Sequence, residues 1–271
     1  MKNFKKIIFL TVIATTPCFS SAEETSSNEP SFVPGRPGNT ESAIAVPKGY
    51  FQIESGLVNY TRDKVDDERT KFLSLAQTAF RYGIAEGTDV QLVIQPYSKL
   101  NISGAGIDQT FQGFGNTTLR VLHTFLGADG NSPSFGIIGF ITLPSADKEL
   151  KDNGVFDDRT TGGVVATGSI NLTDKASVTL TLGDGTKHSS GSSYLNDIYG
   201  GINLTYALTE QFSTYIEAYG DHVKNSQTQS TIDLGMTYLL SHVTQLDAGV
   251  NIAANHAAPD ASFFIGWSHR F

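Results

Sequence analysis

The last eleven residues of the chain, 261–271, read ASFFIGWSHRF, and their side chains alternate in character. One face of this stretch carries Phe263, Ile265, Trp267 and Phe271, and the other carries Phe264, Gly266, Ser268 and Arg270. A period of two residues is that of a β-strand whose two faces lie in different surroundings. The end of the chain is therefore predicted to be a strand with one apolar and one polar face.

The same alternation recurs backwards along the chain as far as residue 49. With the C-terminal strand we predict twelve strands, the others lying at 49–60, 71–83, 89–97, 116–126, 134–144, 159–171, 176–183, 197–208, 212–221, 232–240 and 246–254. Strands of soluble sheets are about five or six residues long, whereas a tilted strand that crosses a bilayer needs about nine to eleven. Most of the predicted strands are long enough to cross a membrane.

The connections between these strands alternate in length. Short ones lie at 84–88, 127–133, 172–175, 209–211 and 241–244, and longer polar ones at 61–70, 98–115, 145–158, 184–196, 222–231 and 255–262. Short periplasmic turns and long external loops are typical of outer-membrane barrels. We therefore predict an all-β fold: a transmembrane antiparallel up-and-down β-barrel of about twelve strands, with both termini periplasmic. A closed barrel has no free edge, so we expect the ladder to hold the fold without a dry hydrophobic core.

The N-terminal part of the chain differs from the rest. Residues 1–22 have a basic start, an apolar run and small residues near Ala22, which predicts a signal peptide cleaved there and export to the bacterial outer membrane. Cleavage removes Cys18, the only Cys of the chain, so no disulfide is expected. Residues 23–48 contain Pro and no alternation, and the barrel is predicted at 49–271. The irregular segment is either a periplasmic tail or a piece of chain in the barrel mouth, where Arg36 reaches luminal acids.

The strand alternation assigns the larger side chains to two surfaces. A lipid-facing girdle near the periplasmic ends is predicted to contain Phe51, Phe80, Tyr82, Phe125, Tyr206, Phe212, Tyr238 and Phe271. The lumen is predicted to be lined by Glu54, Arg81, Arg120, Glu217, Asp233 and Asp247. Because both signs of charge are present, these residues either line a pore or form internal ion pairs. An aromatic last residue on the outward face also suits recognition by the barrel-assembly machinery, so we expect that partner in addition to outer-membrane lipid.

Four stretches of the sequence resemble one known family. They are RPGNTESAIAVPKGYFQIESG at 36–56, FRYGIAEGTDVQL at 80–92, GFGNTTLRVLHTFLG at 113–127 and FGIIGFITLPSADK at 135–148. They are similar to the outer-membrane transporter-like family described as "putative MetA-pathway of phenol degradation", although Asn116 and Ser145-Ala146 depart from its motifs. The resemblance implies a barrel, a channel role and, from the family's name, uptake of aromatic compounds.

Other chemistry is not supported by the sequence. The formal charge of −8 argues against binding nucleic acid, which requires Lys and Arg against phosphates. The six His are at least thirteen residues apart, so we expect no metal site and no cofactor. A lipase would need a Ser beside a His, and His188-Ser189-Ser190-Gly191 provides one only in a polar loop. We therefore expect no enzyme.

Three functions remain from this reasoning. The first is an outer-membrane channel for passive uptake of small solutes, including aromatic or hydrophobic compounds, with the loops at 98–115 and 145–158 as gating parts. The second is a non-conducting barrel with a structural or surface-display role. The third is the outer-membrane lipase.

Overall fold

The structure is a computed structural model that describes residues 30–104, 106–130, 132–188 and 193–271. The predicted signal peptide at 1–22 lies outside these residues. The strands are β1 (Phe51–Val65), β2 (Glu68–Ala85), β3 (Thr88–Ile94), β4 (Tyr97–Gly104), β5 (Ile107–Gly113), β6 (Thr117–Leu126), β7 (Ser134–Leu143), β8 (Thr161–Asn171), β9 (Ala176–Lys187), β10 (Leu195–Ala207), β11 (Phe212–Val223), β12 (Gln229–Ser241), β13 (Thr244–Ala253) and β14 (Ala261–Arg270), and one short helix, α1 (Lys148–Asp152), is seen among the described residues.

The described strands close into an antiparallel barrel. From β14 back through β6, β3 and β2, each strand pairs with the next, and β1 pairs with both β2 and β14, which closes the ring; among the described strands β5 pairs with β4 alone. Strand β2 pairs with β3 and also with β4, which together form one barrel strand interrupted at Gln95-Pro96. Pro96 has no backbone N–H to donate to a ladder, which explains the break. With β5 and β6 likewise counted as one, the barrel has twelve strands, as predicted.

Two of the predicted external loops are wrong in their extent. Residues 61–70 continue β1 and β2 as far as the pair Val65–Glu68, and residues 98–115 contain β4, β5 and their hairpin pair Gly104–Ile107. These stretches are polar and therefore do not resemble membrane strands in the sequence. Backbone pairing uses N–H and C=O groups that every residue except Pro carries, so a ladder can continue through a polar stretch.

The barrel is apolar outside and mainly polar inside. Leu182 on the outer face is 63% exposed, whereas Asp89 and Asp233 on the inner face are fully buried. The interior also contains a small apolar cluster of Ala45, Leu122, Ile138 and Val165. The expectation of a fold without a dry hydrophobic core is therefore wrong in part, because one segment of the lumen wall is apolar and covered.

The two openings of the barrel differ. At the turn mouth the connections are at 86–87, 127–133, 172–175, 208–211 and 242–243; at the loop mouth they include 144–160, which contains α1, and 254–260. The start of β1 and the end of β14 both lie at the turn mouth, where the Phe271 N–H donates to Phe51 O over 2.8 Å. In the part of the chain that the structure describes, no helix is long and apolar enough to span a membrane.

Candidate functional site: a segment inside the barrel

Residues 30–48, called the plug below, enter the lumen from the turn mouth and leave through the same mouth. At the entry the Arg270 guanidinium donates to Pro30 O over 2.7 Å and to Ser31 O over 2.8 Å. At the exit the plug runs beside Gly83, whose carbonyl accepts the Gly49 N–H over 2.8 Å. The residues between these points lie against the inner wall and hydrogen-bond to its polar side chains.

One side of the plug faces three carboxylates on adjacent strands, Glu217, Asp233 and Asp247, called the acidic wall below. Arg36 Nη2 lies 2.8 Å from Asp247 Oδ1, and Arg36 Nε donates to Oδ2 over 3.2 Å. Asn39 Nδ2 donates to Asp233 Oδ2 over 2.8 Å. The sequence-predicted luminal residues Glu217, Asp233 and Asp247 therefore lie together, and the plug contributes one cation to the three of them.

Glu217 binds the backbone of the plug as well as its side chains. The Asn39 N–H donates to Oε1 over 2.8 Å, and the Thr40 N–H and hydroxyl donate to Oε2 over 3.0 and 2.7 Å. Gly38 makes this approach possible: its φ is +92°, and a Cβ there would lie 2.9 Å from Glu217 Oε2. Only Gly adopts this conformation without strain.

A second group of charges, the Arg81 cluster, consists of Glu54, Arg81 and Asp89. Arg81 lies 2.7 Å from Glu54 and 2.6 Å from Asp89, and all three side chains are at most 5% exposed. The plug adds backbone groups only: the Arg81 guanidinium donates to Ile44 O over 3.1 Å, and the Val46 N–H donates to Asp89 Oδ2 over 2.8 Å. The cluster therefore pairs its own charges within the barrel wall.

Arg120 makes a third contact with the plug. Its Nη2 lies 2.6 Å from Glu41 Oε1, with both side chains partly exposed. The Glu41 backbone is also fixed, because its N–H donates to Thr181 Oγ1 over 2.9 Å and its carbonyl accepts the Thr167 hydroxyl over 2.5 Å. The plug thus presents an anion to Arg120 and a cation to Asp247.

The returning arm of the plug, residues 43–46, is buried and apolar. Its Ala45 packs with Leu122, Ile138 and Val165 of β6, β7 and β8. Phe140 of β7 and Tyr199 of β10 pack against this cluster, and the five wall residues are called the apolar strip below. The Ala45 N–H donates to Thr124 Oγ1 over 2.9 Å, and that hydroxyl donates to Ala43 O over 2.8 Å. These backbone groups therefore have hydrogen-bond partners while the Ala45 side chain packs on the strip.

Cavities lie on both sides of the plug. One of about 300 Å³ opens toward the turn mouth and is lined by residues such as Ser134, Ser177 and Thr205. A second, of about 260 Å³, lies beyond residues 35–42. A third, of about 530 Å³, lies under the connection at 144–160 and shares Gln77 and Val93 with the second. Residues 35–42 of the plug therefore lie between the cavity at the turn mouth and the cavities on the side of the loop mouth.

The connection at 144–160 is folded against the loop mouth. The Phe114 N–H donates to Asp147 Oδ2, and the Asp147 N–H donates to Phe114 O, each over 2.9 Å. Leu150 of α1 is fully buried. His188 hydrogen-bonds Asp158 over 2.6 Å, and this bond lowers the pKa of Asp158 below its ordinary value. Residues 189–191 of the lipase hypothesis lie outside the described residues.

The aromatic residues assigned to the girdle lie on the outer face close to the turn mouth. Tyr82, Phe125, Tyr206, Tyr238 and Phe271 are between 44% and 62% exposed, and Phe51, Phe80 and Phe212 are half-buried. Some of these rings are in contact: the centroid of Phe51 lies 6.4 Å from that of Phe80 and 6.0 Å from that of Phe271.

Comparison with known proteins agrees with this architecture. The family model described as "Putative MetA-pathway of phenol degradation" matches residues 34–271. The chain belongs to this family. The match begins inside the plug and includes Arg36-Pro37-Gly38, which supplies the cation for Asp247 and the left-handed residue beside Glu217.

One of the similar solved structures, an outer membrane channel, shows the same fold. An outer membrane channel from Pseudomonas putida F1 is 13% identical to this chain and superposes with a TM-score of 0.63. The alignment covers 87% of this chain and 99% of the channel. The translocator domain of the autotransporter NalP from Neisseria meningitidis is 11% identical, with a TM-score of 0.49 over 83% and 90% of the two chains. No match was found among curated proteins. At these identities the likeness to the channel shows the fold alone: the chain is a β-barrel of the outer-membrane type.

Some residues of the site were missed by sequence reasoning. Asn39, Thr40 and Glu41 follow the Arg-Pro-Gly motif and bind the wall, and a polar run directly after a turn motif was the available signal. The apolar strip was missed because Leu122, Ile138 and Val165 have the parity of luminal positions, and strand alternation predicts polar residues there. Among the described residues, no group of three or more His, Cys, Asp or Glu could hold a metal ion.

Proposed function

We propose that the protein is an outer-membrane channel for passive passage of small solutes, and that the plug closes its lumen at rest. The observation that carries this proposal is the position of residues 35–42 between the cavity of about 300 Å³ at the turn mouth and that of about 260 Å³ beyond it. The space on the far side continues toward the loop mouth through shared lining residues. Movement of one segment would join these cavities into a path.

The lining of the lumen indicates which solutes would pass. The apolar strip lies on the wall that the returning arm of the plug covers. A solute with an aromatic or other hydrophobic part could take the place of this arm against the strip, because apolar surfaces gain free energy when they leave water together. This proposal agrees with the phenol degradation in the family's description.

The proposed orientation places the turn mouth in the periplasm and the loop mouth outside the cell. Short turns on the periplasmic side are the known asymmetry of outer-membrane barrels. The exposed rings near the turn mouth would then form the girdle at the inner membrane interface, and Phe271 would mark the chain for the assembly machinery. Cleavage near Ala22 would leave residues 23–29 ahead of the plug.

Single-channel recording in planar bilayers tests the proposal. Arg36→Ala removes the one cation that the plug gives to the acidic wall, and we expect it to open channels that are closed for most of the time in the unchanged protein. Loss of charge-assisted hydrogen bonds weakens the closed state by about 2 kcal/mol, or about thirtyfold in the ratio of closed to open. Arg69→Ala, on the exposed outer part of β2, is the matched control and should leave the current unchanged.

A non-conducting barrel is the second candidate, and the continuous hydrogen-bond network between plug and wall favours it. Such a barrel would remain silent when Arg36 is replaced, although it resists SDS before heating as a folded barrel does. That result would contradict the channel and support the structural role.

A further inference from the structure

The Arg36 guanidinium occupies a slot that the barrel wall builds around it. The Asp247 carboxylate binds it with both oxygens, at 2.8 Å from Nη2 and 3.2 Å from Nε. The Asp247 side chain is fully buried, whereas Arg36 is 23% exposed. A fixed, buried carboxylate thus faces a cation that comes from a separate segment.

The other sides of the slot match a flat group. The Phe264 ring lies 5.8 Å from Arg36 Cζ, within the range of a cation–π contact. A Cβ on Gly266 would lie 2.3 Å from Nη2, and one on Gly56 would lie 3.1 Å from Nη1. The wall therefore has two glycines where any side chain would enter the space of the guanidinium.

The surroundings of the slot carry more negative charge than the plug neutralises. Glu217 and Asp233 receive only neutral donors from the plug, and Asp233 Oδ1, although buried, accepts no hydrogen bond from the described residues. Arg36 also borders the cavities on both sides of the plug. A cationic solute that enters the lumen would therefore meet this wall next to Arg36.

We propose that the slot is a recognition site for small organic cations with a planar guanidinium or amidinium group, which compete with Arg36 for Asp247. This inference rests on the proposed function, since the solute reaches the slot through the lumen. A planar group can form the paired hydrogen bonds to the carboxylate and stack on Phe264, whereas a compact ammonium forms neither arrangement as well. A solute that replaces Arg36 takes away the ion pair between the plug and Asp247.

The test uses channels that lack the native occupant. In Arg36→Ala, methylguanidinium should enter the empty slot and block the current. We expect its half-blocking concentration to be at least about tenfold lower than that of methylammonium, which has the same charge. In Arg36→Ala/Asp247→Asn this preference should disappear. Phe264→Leu in the same background keeps the carboxylate and should weaken the block by about threefold.

The outcomes separate the two proposals. If Arg36→Ala conducts but methylguanidinium and methylammonium block it equally, or Asp247→Asn changes nothing, the slot is not a recognition site. If Arg36→Ala does not conduct, closure by the plug is contradicted, and binding is then measured by heating in SDS. Methylguanidinium should raise the temperature at which Arg36→Ala unfolds and leave that of the double variant unchanged. If methylguanidinium leaves the unfolding temperatures of Arg36→Ala and of the double variant unchanged, the proposed recognition site is contradicted whether or not the channel conducts.

Discussion

The Arg81 cluster and the acidic wall both bind the plug, but they differ in the source of the opposite charge. In the Arg81 cluster the barrel supplies both signs, and the plug adds only backbone hydrogen bonds. At the acidic wall the barrel supplies three carboxylates and the plug supplies the cation, Arg36. If the plug leaves the lumen, the Arg81 cluster keeps its ion pairs within the barrel. The acidic wall then loses the ion pair between Asp247 and Arg36 of the plug. The Arg81 cluster therefore belongs to the barrel itself, whereas the charge balance of the acidic wall depends on what occupies the lumen.

Removing the centre of the Arg81 cluster should have the largest effect. Arg81→Ala leaves Glu54 and Asp89 buried without their cation, which costs about 3–5 kcal/mol. We expect the folded form in SDS gels to disappear at temperatures that the unchanged protein survives. Arg69→Ala is the control, and equal resistance of Arg81→Ala and the unchanged protein would show that the cluster does not stabilise the barrel.

A change at the acidic wall should act on closure and not on the barrel. Glu217 accepts three hydrogen bonds from Asn39 and Thr40 and one from Asn203. Glu217→Gln keeps the shape but has one acceptor oxygen, so we expect a loss of about 2 kcal/mol in plug binding and a higher open probability. SDS resistance should change little. Glu210→Gln, on an exposed turn, is the control and should change neither the open probability nor the SDS resistance. If Glu217→Gln has the same open probability as this control, the acidic wall does not differ from the Arg81 cluster in its effect on closure.

The backbone of the plug offers a smaller test of the same contact. Gly38→Ala introduces strain at a φ of +92° and places a Cβ against Glu217, at a cost of about 1–2 kcal/mol. Gly49→Ala is matched, because its φ is +87° but nothing lies within 4 Å of its Cβ. We expect open probability to rise more in Gly38→Ala than in Gly49→Ala. Equal behaviour would mean that the approach to Glu217 does not hold the plug.

The smallest effect is expected outside the lumen. Phe271→Ala removes a ring that contacts Phe51 at 6.0 Å and His269 at 4.4 Å, which should weaken the barrel by about 1 kcal/mol and leave conductance unchanged. Phe263→Ala, near the loop mouth of the same strand, removes an equally large exposed ring. If both variants reduce SDS resistance equally, the aromatic residues at the turn mouth have no special role.

Strand alternation was sufficient to predict the barrel, since a period of two records directly which side chains face lipid. The twelve strands and the closed ring follow from it, and the structure places the side chains of Arg81 and Asp247 on the inner face. The hairpin of β4 and β5 was missed because its side chains are polar on both faces over much of its length, so the alternation that marks the other strands is weak there. The partners of Arg36 could not be chosen from sequence, because the plug contains no period that fixes its path among several luminal acids.

A reversible cross-link between plug and wall tests the central claim most directly. Glu41 and Arg120 meet tip to tip at 2.6 Å, and replacing both by Cys breaks this ion pair and allows a reducible bifunctional thiol reagent to bridge them. We predict that Glu41→Cys/Arg120→Cys conducts, stops conducting when the reagent bridges the two Cys, and conducts again after reduction. In the single Cys variants the reagent should leave the current unchanged. An unchanged current through the bridged protein would contradict the account, because solutes would then cross the barrel with the plug fixed in the lumen.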